Sequence, residues 1–177
     1  MSSEGARHHT ADTPRSNRKK ESGMGESTSS TGETALLAEA VVREAAEAIV
    51  VTDPDGIIRL WNNGATNVFG YSAAEAVGQN LDLIIPEKLR ERHWKGYRQT
   101  MATGCTRYGD RLLGVPATHR DGRRLSIEFS VALLRDETGR IAGISAIIRE
   151  VTDRRNAEKA LRTRLAELEL VMPAGSA

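Results

Sequence analysis

The sequence predicts an α+β fold: a five-stranded antiparallel sheet with helices on one face, flanked by N- and C-terminal amphipathic helices. Three observations predict it. Two short apolar runs around residues 48–52 and 57–61 are joined by Asp53-Pro54-Asp55-Gly56, a tight-turn sequence, and read as a hairpin. A helical stretch with its own capping signals follows. Three strand patterns then close the domain, joined by turns at Asp121-Gly122 and Thr138-Gly139. Strands gathered in runs on either side of a helical segment indicate an antiparallel sheet.

The elements follow in order. Residues Met1 to Glu33 are rich in Ser, Thr, Gly and charge and read as a disordered leader, because they bury too little apolar surface to offset their ordering entropy. Ser30 and Glu33 fit a capping box, and Leu37, Val41 and Ala45 recur every four residues, so an amphipathic helix is expected over 34–46. The central domain is expected over 47–152. Ser72 with Glu75 is a second capping box after Gly70-Tyr71. Pro86 opens a longer helix to about Thr103, and Gly104 closes it. Asp110 to His119 reads as the third strand. Leu125, Ile127, Phe129, Val131 and Leu133 alternate with small or polar residues, a strand with one apolar face. Ile141 to Val151 is apolar on both faces, the pattern of a buried central strand. Over 153–172, Ala157, Leu161, Leu165, Leu168 and Met172 form a short coiled-coil stripe, stopped by Pro173 in a tail of residues 173–177.

Composition narrows the function. Hydrophobic residues at 39% and charged residues at 28% suit one ordinary globular domain in 177 residues. A net charge of +1 gives no field to recruit nucleic acid or an acidic membrane. There is no membrane-length apolar run and no signal-peptide core, and the lone Cys105 forms no internal disulfide, so a cytoplasmic location is expected. Cys105 reads as a partly buried thiol. No nucleophile–base pair, metal-ligand cluster or phosphate-binding glycine loop stands out, so no enzyme is expected.

Three stretches resemble PAS domains of the S-box type. They are "AAEAIVVTDPDGIIRLWNNGATNVFGYSAAEAVGQNL", "IIPEKLRERH" and "HRDGRRLSIEFSVALLRDETGRIAGISAIIREVTDR". The resemblance spans Ala46 to Arg154 and implies a PAS fold, a sensory role and a C-terminal signalling helix. Fold alone does not fix ligand or output.

In the long helix, Leu89, His93, Tyr97 and Met101 fall four apart and share one face, expected to point at the pocket. Gly96 leaves room beside the imidazole. The stretch from His93 to Asp121 is similar to the haem-containing oxygen-sensor kinases of rhizobia, and their axial histidine falls on His93. The resemblance therefore implies haem b on His93 as metal ligand, with Tyr108, Leu113, Phe129 and Val131 at the distal side. Two departures stand out. Leu113 replaces an arginine placed over bound oxygen, and Gln99 replaces one that meets a propionate. The competing reading is a pocket with no cofactor, or another small molecule, in which His93 only packs. The flavin motif Asn-Cys-Arg-Phe does not occur, so no flavin is expected.

The leading expectation is a ligand-responsive sensor that relays through its last helix. No kinase, cyclase or DNA-binding region follows that helix. Output is therefore expected to pass to a separate effector, a kinase or a regulator of transcription, or through a homodimer. The alternative is a ligand-free dimerisation scaffold.

Overall fold

The computed structural model describes residues 26–106 and 111–171. Its elements run α1 (Glu26–Glu44), β1 (Ala48–Thr52), β2 (Ile58–Trp61), α2 (Asn63–Phe69), α3 (Ala73–Ala76), a 3-10 turn (Leu81–Leu83), α4 (Glu87–Thr103), β3 (Leu113–Thr118), β4 (Arg124–Arg135), β5 (Ile141–Glu150) and α5 (Thr152–Val171). The strands form one antiparallel sheet in the order β2-β1-β5-β4-β3. The predicted α+β class and five-stranded sheet are therefore observed.

Local signals place most boundaries. Asp53 builds the β1–β2 turn: its Oδ1 accepts the Asp55 and Ile57 amides at 3.0 and 2.9 Å, and its Oδ2 meets Arg59 Nη2 at 2.7 Å. Ser72 and Glu75 form the expected capping box on α3. Gly104 ends α4 in the left-handed conformation, with Pro86 at the N-cap.

Some expectations need correction. The helix expected from Thr34 begins at Glu26, inside the stretch read as disordered. Ser30 is not its cap but an interior residue, whose carbonyl accepts from Thr34 Oγ1 at 2.9 Å. Ser and Thr cost a helix only a few tenths of a kcal/mol each, about 0.5 relative to Ala, too little to stop it. β3 starts at Leu113 rather than Asp110, and Asp110 lies outside the described residues, as do Met172 and Pro173. β5 is central in the sheet but not buried on both faces: Ile147 on the outer face is 50% exposed. Cys105 is exposed rather than partly buried.

The core sits between the sheet and α2–α3. Ala48, Val50, Ile58, Trp61, Ala65, Phe69, Leu125, Ile127 and Ile148 are all buried there, with the Trp61 and Phe69 rings 5.4 Å apart. The segment after α3 is stitched to β2 through its backbone: Ile58 N–H donates to Gln79 at 2.9 Å and Gly78 N–H to Ile58 at 2.8 Å. Asn62 is the polar centre. Its Oδ1 accepts the Ile49 and Ala65 amides, both at 2.8 Å, and its two Nδ2 protons are shared among the carbonyls of Val42, Ala45 and Glu47 at 3.0, 3.2 and 3.0 Å. One side chain thus satisfies the end of α1 and caps the start of α2.

Candidate functional site

The pairing register assigns the faces of the sheet. Val50, Ala146 and Val131 share a rung, as do Ala48, Ile148, Phe129 and Leu113. All lie on the face that carries the core. Burial along that face is uneven. On β4, Leu125 and Ile127 are buried, whereas Phe129, Val131 and Leu133 are half-buried; Ile144 and Ala146 of β5 and Leu113 and Val115 of β3 are half-buried as well. An apolar wall on β3–β5 is therefore incompletely covered by the protein's own side chains.

α4 is tied by side chains aimed at the β1–β2 hairpin and the 3-10 turn. Tyr97 is buried, and its hydroxyl donates to the Asp53 carbonyl at 2.5 Å. That uses the only phenol proton, so Thr52 Oγ1 at 2.9 Å donates to Tyr97. Trp94 Nε1 donates to Asp82 Oδ1 at 2.7 Å, and its ring closes over Gly56, where a Cβ would fall 2.2 Å from the indole. Gly56 also has φ of 80°, so glycine is required there twice over. Arg90 reaches the carbonyls of Ile85 and Asp82 at 3.3 and 3.1 Å.

His93 lies between these anchors. Its ring makes an edge contact with Trp94 at 5.0 Å and a tilted one with Tyr97 at 5.8 Å. Its Nδ1 is buried with no hydrogen-bond partner, the one such side-chain atom among the described residues. Burial pushes the His93 pKa below its ordinary value, against the opposing field of Asp82. The ring is therefore neutral at pH 7 and keeps a free lone pair. The linkage runs one way: stability is present above the ordinary histidine pKa and is lost as pH falls through the depressed one.

Of the residues singled out from the sequence, Leu89, His93 and Tyr97 do share one inward face of α4, and Leu113, Phe129 and Val131 share the inner face of the sheet. Tyr97 serves as an anchor to β1. Gly96 is exposed, and a Cβ there would meet nothing within 4 Å. Tyr108 lies outside the described residues. Gln99 is exposed. His119 is less open than a hairpin-end residue is expected to be: its side chain is 16% exposed, it sits against Gly70, and its Nδ1 accepts from the Asp121 amide at 3.2 Å. Trp94 and Asp82 were missed, and Gly56 was read only as a turn residue. Trp94 stands beside the apolar stripe of α4 rather than in it, and the glycine it covers is far away in sequence, so periodicity carries no signal of the pair.

Tyr97→Phe is expected to cost about 1–2 kcal/mol in urea unfolding, because Thr52 Oγ1 is left without its partner in a buried site. Burial raises the Tyr97 pKa, so the phenol stays protonated and the loss should be the same from pH 7 to 9.

A five-stranded antiparallel sheet in this order, with short helices packed on one face, is the architecture of the PAS fold. The chain belongs to the PAS family: the family model described as PAS fold matches residues 37–151. It is 29% identical over 125 residues to the sensor protein FixL of Bradyrhizobium diazoefficiens, covering 69% of this chain and 24% of that one. It is 25% identical over 85 residues to the oxygen sensor protein DosP of Escherichia coli, covering 48% of this chain and 10% of that one. The chain thus spans a quarter or less of the length of these relatives. Among solved structures, a PAS domain from Colwellia psychrerythraea matches with a TM-score of 0.60 at 24% identity, over 68% of this chain and 98% of that one. The chain thus carries a PAS domain similar in sequence to parts of proteins named as sensors. No helix among the described residues is long and apolar enough to cross a membrane.

Proposed function

We propose that this PAS domain is a sensor module that holds haem b between α4 and the inner face of β3–β5, with His93 as the iron ligand. We further propose that occupation of the site is relayed through α5 to a separate effector protein, a kinase or a regulator of transcription. The observation that carries the reading is the buried, unpartnered Nδ1 of a neutral His93 on α4, in a domain whose inner sheet face keeps half-buried apolar residues on β3–β5. A buried polar atom without a partner costs about 1–3 kcal/mol and calls for a reason. The residues fit the group. His93 offers a neutral imidazole, and Leu113, Phe129, Val131 and Ile144 offer an apolar surface that excludes water. Haem, when bound, supplies a site for a diatomic gas and a one-electron redox change. Leu113 offers no hydrogen bond to a bound gas, so carbon monoxide or redox state is the better expected signal than oxygen. The names of the relatives, a sensor protein and an oxygen sensor protein, support the class of function.

The test is titration of the purified chain with haemin. The expected result is a Soret band that saturates at one haemin per chain. A spectrum that stays that of free haemin at every ratio rejects the cofactor.

The scaffold reading has one observation in its favour. Leu161, Leu165 and Leu168 are 71%, 58% and 51% exposed on one stripe of α5, and Leu37 and Val41 of α1 are exposed too. We expect a homodimer through these helices whether or not the pocket is filled. Light scattering should give twice the chain mass, and a monomer mass at high concentration rejects it. A sensor and a scaffold part company on ligand response, since the scaffold shows none.

A further inference from the structure

α5 leaves the domain after one turn. Every described side chain from Asp153 to Glu169 is exposed, so packing on the sheet does not set the direction of this helix. Its first turn does. Val151 N–H donates to the Ser126 carbonyl, and Thr152 Oγ1 accepts the Ser126 amide, both at 2.8 Å. Glu128, on the outer face of β4, meets Arg154 Nη2 at 2.6 Å and lies 3.7 Å from Arg155 Nη2. The Arg155 guanidinium occupies the space over Gly114, where a Cβ would fall 2.1 Å from Nη2. Gly114 and Glu128 face each other across β3 and β4. The adjacent rung is Leu113 with Phe129, whose side chains turn to the inner face. β3 is an edge strand, paired along its length only with β4 and held on its other side at Thr118, whose N–H donates to the Ile84 carbonyl at 2.9 Å, so its Leu113 end yields more easily than a central strand.

We propose that Glu128, gripping Arg154 and Arg155 beside the side-chain-free Gly114, is the joint that fixes the exit direction of α5 and couples it to the inner face one rung away. The joint rests on the contacts of the chain itself; its use as a relay rests on the sensor reading above. A group pressing on Leu113 or Phe129 shifts the rung that carries Gly114 and Glu128. The two arginines follow the carboxylate, and the far end of α5, with its leucine stripe, swings through a longer arc. Glu128 is a positioning residue: it touches the helix and not the ligand.

The test measures direction. Nitroxides are placed at Ala132→Cys on the outer face of β4 and at Glu167→Cys on α5, off the leucine stripe, in a Cys105→Ser background diluted with unlabelled chain, and their distance distribution is read by pulsed electron resonance. The expected result is one narrow distribution that broadens in Glu128→Gln. Gly114→Val, which displaces only Arg155, should also broaden or shift it. The charge swap Glu128→Arg with Arg154→Glu should narrow it again, which a merely structural loss would not do. Melting temperatures within a few degrees of the parent show that the domain is intact. Identical distributions in all variants overturn the joint. Addition of haemin tests the relay: a shift in the parent that Glu128→Gln abolishes supports it, and an equal shift in both overturns it. A chain that takes up no haemin overturns the cofactor reading, while the joint is still decided by the variants without haemin.

Discussion

His93→Ala is expected to remove most of the Soret absorbance that the parent chain develops with haemin, while His119→Ala leaves it in place. The two histidines differ in what their nitrogens already do. His93 has a buried ring nitrogen with no partner, on α4 between Trp94 and Tyr97. His119 accepts the Asp121 amide through Nδ1 and presses Nε2 against Gly70, on the far side of the β3–β4 hairpin. The unliganded fold should barely register the loss of His93. Alanine forfeits two ring contacts but also removes an unsatisfied buried atom, so the change should stay within about 1–2 kcal/mol. A pH series adds a second reading. Protons compete with iron for the lone pair, and burial depresses the His93 pKa. Uptake should therefore hold down to roughly pH 6.5, the ordinary histidine value, and fall only below it. An unchanged Soret band in His93→Ala sinks the assignment.

Asn62→Ala is expected to be the most destabilising single truncation of a polar residue here, by about 3–5 kcal/mol. The amide is 4% exposed, and its removal strands the amides of Ile49 and Ala65 and three carbonyls at the end of α1 and before β1. Water does not reach the Ala65 amide to replace it, since Ala65 is fully buried. Thermal melting should drop by roughly 4 °C for each kcal/mol lost. Asn62→Asp keeps the acceptor but offers no donor and sets a carboxylate against carbonyl oxygens, so it should fare no better. Denaturant unfolding decides the matter, and a loss below about 1 kcal/mol for Asn62→Ala would show that the network relaxes around the gap.

Much of the fold is legible in the sequence because its signals are local. The Asp53-Pro54-Asp55-Gly56 turn, the Ser72–Glu75 box and the Gly104 stop each need only neighbours a few residues away. The period-two run of β4 needs only the pleat, and it returns with the predicted residues facing inward. The inward face of α4 is legible for the same reason: a spacing of four on a helix is a geometric fact.

Tertiary structure decided what periodicity does not encode. A repeat says which side of an element is apolar, not what stands opposite or how close. β5 is apolar on both sides, yet its outer side meets solvent at Ile147. Tyr97 reads as a pocket residue on its helix face, but the path of α4 past the hairpin turns it into an anchor on Thr52 and Asp53. Asn62 stands in the sequence as one of a pair with Asn63, and only the crossing of α1, β1 and α2 gives it five partners. Glu128 lies 26 and 27 positions from the arginines it holds, and Gly114 matters to that grip only because Arg155 lies over it. Local chemistry dictated the elements of this protein; the contacts that anchor α4 and the start of α5 depend on where distant segments cross, and no repeat along one segment records that.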